Sequence, residues 1–192
     1  MEIKASEEAP QLGRDAQSFL LRTAREAITA ALRGVSYGPP RRAPAPLSDP
    51  GACFVSLHHG GELRGCIGVM RAQRPLADAV AHCAQAAAFE DPRFPPLTGE
   101  ELAHLEIEIS VLGVMRPLLP GEMPRPGVHG VVIAQGSLEG LLLPQVAVEN
   151  GWSALQLMEE TCRKAGLSRD AWRRGAQASV FLARVFSERE LT

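Results

Sequence analysis

Cys53-Phe54-Val55-Ser56-Leu57-His58-His59-Gly60-Gly61-Glu62-Leu63-Arg64-Gly65-Cys66-Ile67-Gly68-Val69-Met70 decides how the chain is read. Cys53–Leu57 and Glu62–Met70 are two β-prone runs. His58-His59-Gly60-Gly61 supplies a glycine-containing loop between them, so they form an antiparallel hairpin. The period of two then divides the second run. Leu63, Gly65, Ile67 and Val69 share one face, and that set reads as core. Arg64, Cys66, Gly68 and Met70 share the other, which sets a guanidinium beside a thiol. A neighbouring cation stabilises a thiolate, and Gly65 and Gly68 let a ligand or another backbone come close. The alternative is a buried cysteine between bulge-forming glycines. Spacing alone favours that alternative, because cysteine is among the most buried residue types.

Downstream, Leu105–Leu112 alternates cleanly: Ile107, Ile109 and Val111 on one face, Glu106, Glu108 and Ser110 on the other. A solvated sheet face and a site above the sheet explain the glutamates equally well. Pro75 opens a helix to about Ala88, with Leu76, Val80, Cys83 and Ala87 as its apolar stripe. Phe89–Pro96 carries three prolines and is a rigid loop in which Asp91 and Arg93 either pair or face a ligand. Thr98 and Glu101 have capping-box spacing. His58 and His59, at the hairpin tip with no third ligand nearby, read as loop residues rather than a metal site.

Upstream, Asp15–Leu32 has helical periodicity, with Asp15 placed to cap it, Gly34 to end it, and Arg22, Arg25 and Arg33 on a solvated face. Residues 38–46 are a proline-rich surface connector. Arg116–Gly127 reads as loop and Val128–Ala134 as a strand. Leu141–Leu143 returns after a turn, and Pro144–Asn150 forms a short helix. Ser153 and Gln156 cap a further helix whose stripe includes Leu157, Met158 and Cys162. Val180–Phe186 is a final strand. The expected class is α+β: a mainly antiparallel sheet with flanking helices.

The 192 residues suffice for one domain or two subdomains. A net charge of -2 gives no reason to expect a long nucleic acid or an acidic membrane surface. The four cysteines fit neither a disulfide framework nor a paired metal motif. With no apolar N-terminal run and no membrane span, the expected location is the cytoplasm, with reduced thiols. Phosphate-loop, dinucleotide and nucleophile-elbow motifs are absent, and no cofactor is required by the sequence.

Leu63–Gly68 resembles the signature hexapeptide of the AMMECR family, whose prokaryotic members are called AmmeMemoRadiSam system protein A. Glu90–Leu97, Leu105–Leu112, Gly127-Val128-His129-Gly130, Gly140–Ala147 and Cys162–Leu167 are similar to its further motifs, in order. The resemblance covers about Asp15 to Glu188. The proline-rich connector and Pro124-Arg125-Pro126-Gly127 depart from the family pattern, but neither touches a motif.

The resemblance implies an α+β fold with a larger and a smaller subdomain, here a single domain over residues 15–188 between a frayed 1–14 and a tail at 189–192. It also implies Memo-like and radical-SAM partners, while leaving the reaction undefined. Two readings follow. In the first, a cysteine-dependent enzyme acts on a small metabolite or nucleotide base. Cys66 is the nucleophile, Arg64 its activator, His129 the base and Glu108 or Glu106 the orienting group. In the second, a non-catalytic adaptor uses a groove formed by Arg64, Gly65, Gly68, Asp91, Arg93 and Glu106. A third and weaker reading puts a metal on Cys66, His129 and a glutamate.

Overall fold

The computed structural model describes residues 8–38 and 43–191. The readings made above for residues 1–7, for 39–42 in the connector and for 192 lie outside the described residues. Two units divide the chain. One comprises Gln11–Leu112 with residues 184–191, the other Gly113–Ala183 with residues 8–10.

The first unit runs α1 (Arg14–Leu32), β1 (Cys53–His59), β2 (Glu62–Val69), α2 (Leu76–Phe89), α3 (Gly99–Leu102) and β3 (Leu105–Leu112). It is completed, after the second unit's elements, by β8 (Ala183–Ser187) and α6 (Glu188–Leu191). Its sheet has the order β2-β1-β3-β8, with β1 antiparallel to both β2 and β3. The apolar side chains of β3 expected to face inward, Ile107, Ile109 and Val111, do so. Val55, Leu57, Ile107 and Ile109 are fully buried in one cluster with Leu20 and Ile28 of α1 and Val80 and Cys83 of α2. Each such side chain contributes roughly 1.5–3 kcal/mol of burial free energy.

Local details differ from expectation for physical reasons. Gly13, not Asp15, is the N-cap of α1, and Asp15 lies in the first turn, where its charge suits the positive pole. The hairpin turns on Gly60 and Gly61 alone, at φ 61° and 87°, so His58 and His59 are the last residues of β1 rather than loop. Arg25 is not a solvated side chain. It donates to Glu188 through Nε and Nη2, both at 2.6 Å, and to the carbonyls of Leu102 and Leu105 at 3.0 and 2.6 Å. The chain is therefore docked at Glu188, immediately before the tail.

The second unit contains β4 (Arg116–Pro117), β5 (Gly130–Gln135), β6 (Leu138–Leu142), α4 (Pro144–Glu149), α5 (Ala154–Lys164), a 3-10 turn (Ala171–Arg173) and β7 (Gln177–Phe181). Its antiparallel sheet has the order β4-β7-β5-β6. Val131, Ile133, Leu157, Met158 and Cys162 form its core. The reciprocal cap of Ser153 and Gln156 is formed. The segment expected to be one strand, 180–186, is two: β7 belongs to this sheet and β8 to the other. An unbroken apolar run cannot reveal that its halves serve different sheets. Among the described residues, no helix is long and apolar enough to cross a membrane.

Candidate functional site

The hairpin contains an irregularity that decides the site. His58 pairs with Leu63 but Leu57 with Gly65, leaving Arg64 as an extra residue in β2. This bulge re-aims the side chains around it. Leu63, opposite His58, is turned off the core face and is 41% exposed, which corrects its assignment to the core. Beyond the bulge, Cys66 faces Ser56 on β1, and Ser56 faces Glu108 on β3. Residues directly opposite share a face, about 4.5–5.5 Å apart, so Cys66, Ser56 and Glu108 make one row across three strands. The Ser56 hydroxyl donates to Cys66 Sγ at 3.3 Å.

β2 is an edge strand, and its outer backbone at Cys66 is occupied by the loop after α2. The Cys66 N–H donates to Asp91 Oδ2 at 2.8 Å, and Arg93 Nη2 donates to the Cys66 carbonyl at 3.3 Å. Arg93 also donates to Asp91 through Nε at 2.9 Å and Nη2 at 2.7 Å, and through its own backbone N–H at 3.1 Å. The two side chains thus act as one rung of an added strand. Asp91 is only 3% exposed. The Arg93 hydrogen bonds hold its carboxyl down to about 2, against the opposing effect of burial, with backbone N–H groups of Cys66 and Arg93 adding to the depression. The pKa of Arg93 is raised, chiefly by hydrogen bonding to Asp91, and in smaller part by its interaction with the Cys66 side chain.

Arg64 is held elsewhere. Its Nε donates to Glu101 Oε1 at 2.7 Å and its Nη2 to Glu101 Oε2 at 3.2 Å and to the Pro96 carbonyl at 3.4 Å. Glu101 is in turn fixed by the Thr98 N–H at 2.9 Å, completing the expected capping box. Arg64 and the Thr98 contacts hold the Glu101 carboxyl down to about 2. Arg64 Nη1 is buried with no partner among the described residues. The cation that touches Cys66 is therefore Arg93, because the bulge sends Arg64 toward Glu101. Phe94 lies beneath both guanidiniums, at 5.4 Å from Arg93 and 5.9 Å from Arg64.

Both motif glycines have packing explanations. A Cβ on Gly65 would lie 2.1 Å from the Ala87 carbonyl oxygen of α2, and one on Gly68 2.3 Å from the Phe54 ring. Close backbone approach, one of the two uses foreseen for them, is the one the structure displays.

The remaining candidates have partners of their own. Glu106 pairs with Arg189 at 2.6 Å, beside a cleft of about 460 Å³ lined by His58, His59, Gly60, Gly61 and His104. His129 belongs to the second unit and is buried there. Its Nδ1 accepts from the Arg125 N–H at 3.1 Å, and its Nε2 lies 3.3 Å from Arg125 Nη2. Among the described residues, no group of three or more His, Cys, Asp or Glu is arranged to hold a metal. Sequence reasoning missed Ser56 and Phe94, and took Glu101 only as a cap. The alternation of Val55 and Leu57 around Ser56 is the signal that could have found it.

Comparison with known proteins locates this arrangement. The family model described as AMMECR1 matches residues 21–186. A protein of Thermofilum pendens is 39% identical over 196 residues, covering 93% of this chain and 92% of its own length. One of Methanosarcina acetivorans is 40% identical over 179 residues, covering 88% and 90%. The crystal structure of the uncharacterized protein PH0010 of Pyrococcus horikoshii matches with a TM-score of 0.87 at 35% identity, over 92% of this chain and 93% of that one.

Proposed function

This chain belongs to the AMMECR1 family, and from that premise we propose that its first unit is a thiol-dependent catalytic site acting on a small metabolite or a nucleotide base. The observation that carries the reading is the clamp on Cys66. Its N–H and carbonyl are both held by the Asp91–Arg93 pair, and Ser56 donates to its sulfur. A fixed sulfur with a hydroxyl donor and a guanidinium beside it favours thiolate over thiol. Asp91 offsets part of the Arg93 charge.

In the reacting step, the thiol proton passes to solvent water. The sulfur lone pair forms a C–S bond to an electrophilic carbon, whose leaving bond or π pair moves away onto oxygen or nitrogen. Water then displaces the sulfur. Glu108, one strand beyond Ser56, is the acid–base group in register with the thiol. The reading assigns no step to His129, whose ring nitrogens engage Arg125. The Memo-like and radical-SAM proteins implied by the family resemblance would supply or consume the small molecule.

The test is the pH dependence of Cys66 alkylation by iodoacetamide in native protein, with the site identified by mass spectrometry. The expected rate stays high well below the ordinary thiol pKa of about 8.5 and falls in Ser56→Ala. Protection of Cys66 until denaturation refutes catalysis and leaves the face as a binding module.

A further inference from the structure

We propose that the ligand engaged beside Cys66 carries a small oxyanion, a carboxylate or phosphate, and that Arg93 docks it. The inference rests on the thiol site described above and names the substrate class for it.

Arg93 uses only one edge of its guanidinium within the protein. Nε and Nη2 are committed to Asp91, and Nη2 also reaches the Cys66 carbonyl. The side-chain hydrogen bonds of Arg93 run through Nε and Nη2 rather than Nη1, and the guanidinium also interacts with the Cys66 side chain. Guanidinium groups present five donors in a planar fork suited to oxyanions, so two N–H groups remain to bind a ligand. The side chain is 55% exposed although its carboxylate partner is 2% exposed. Arg93 is thus accessible to solvent while the carboxylate that anchors it is not. Asp91 on one side and the Phe94 ring at 5.4 Å on another fix the plane of the fork. A surface arginine of ordinary mobility loses side-chain entropy on binding an anion, and this one has already lost most of it on folding.

A second guanidinium is gathered on the same aromatic ring. Arg64 lies 5.9 Å from the Phe94 centroid, with a buried Nη1 that has no acceptor. An unsatisfied buried donor is unfavourable, so an anion that draws Arg64 toward it gains an acceptor contact there. An anion seated on Arg93 lies next to the Cys66 carbonyl that Arg93 also touches, which presents the rest of the ligand to the sulfur.

The experiment uses the full chain and two alkylating agents that differ in charge. Iodoacetate carries a carboxylate and iodoacetamide does not. In both reactions the Cys66 thiolate forms an S–C bond and iodide leaves with the C–I electron pair. The ratio of the two rates cancels the thiolate fraction, and its comparison with a free thiol removes the reagents' intrinsic difference in reactivity. We expect the ratio at Cys66 to exceed that of N-acetylcysteine by roughly fivefold, the upper end for an exposed ion pair. Inorganic phosphate should slow iodoacetate more than chloride at equal ionic strength does. Arg93→Gln should return the ratio to the N-acetylcysteine value. Arg93→Lys keeps a cation for Asp91 without a second donor edge, so it should lose the preference with the fold retained.

Thermal melting in phosphate against chloride provides a reading that does not need a reactive thiol. Stabilisation by phosphate in the wild type that is absent in Arg93→Lys supports the docking site. A wild-type ratio equal to that of N-acetylcysteine, or phosphate stabilisation undiminished in Arg93→Lys, overturns it. Failure of both reagents to modify Cys66 while phosphate still stabilises through Arg93 overturns the thiol chemistry alone.

Discussion

Replacing Asp91 by Asn removes the charge from a carboxylate that accepts four hydrogen bonds, one from the Cys66 N–H and three from Arg93. Its side chain is 2% exposed, so solvent cannot substitute for those donors. A carboxyl held at about 2 against an ordinary 3.8 contributes roughly 2.5 kcal/mol of native stability. An exposed pair would give about 0–1 kcal/mol. At about 2–4 °C per kcal/mol for a chain of this size, Asp91→Asn should lower the Tm of the first unit by roughly 5–10 °C at pH 7.

The sign of the pH dependence is fixed by the direction of the shift. The folded value lies below the unfolded one, so the contribution is complete above about pH 4 and disappears as pH falls through about 2. Calorimetry of both proteins should therefore show a gap at pH 7 that narrows between pH 4 and 2. Amide exchange at Cys66 should be faster in the variant at pH 7. A gap below about 1 °C at pH 7, or one that persists undiminished at pH 2, refutes the clamp.

Gly65→Ala places a methyl group 2.1 Å from the Ala87 carbonyl oxygen. Because backbone must move, a loss of about 3 kcal/mol should appear in the urea midpoint, whereas a near-neutral result contradicts the packing of α2 on β2. Arg25→Ala should cost about 1–2 kcal/mol, discounted for its partial exposure, with faster exchange at the Ile107 amide, which donates to Glu188 at 3.0 Å. Unchanged exchange there would show that Arg25 does not position Glu188. Ser56→Ala should slow Cys66 alkylation while lowering Tm by less than about 3 °C; an equal alkylation rate removes Ser56 from the site.

The strands and helices were legible where one periodicity ran without interruption. Leu105–Leu112 is the strand its alternation demanded, and the stripe of α2 is buried as read. Both capping boxes form because their signal is local. The site was legible only in part. Strand parity placed Cys66 off the core face, but the bulge at Arg64 shifted the register by one residue, and nothing in the local sequence fixes where an extra residue falls. The partner of Arg64 is Glu101 and the cation at Cys66 is Arg93. Both pairings span more than twenty residues, and a spacing argument cannot rank one arginine over another at that distance. The role of Arg25 was hidden in the same way, since its acceptor lies at the far end of the chain.

The break at Leu182 has a consequence for how the protein is made. β8 flanks β3 in the first sheet but follows the whole of Gly113–Ala183 in sequence. A ribosome therefore delivers the hairpin and β3 well before the strand that covers β3's outer side. At roughly 5–20 residues per second, the nascent sheet waits about 4–14 s with that ladder of N–H and carbonyl groups exposed. Such an edge is a template for pairing with other chains. The Gly113 N–H donates to the Leu182 carbonyl at 2.8 Å, which brings the two ends of the inserted segment together just as the missing strand emerges. A premature stop anywhere before residue 183 yields a product that can never close its own sheet, and such truncations belong to quality control rather than to partial function.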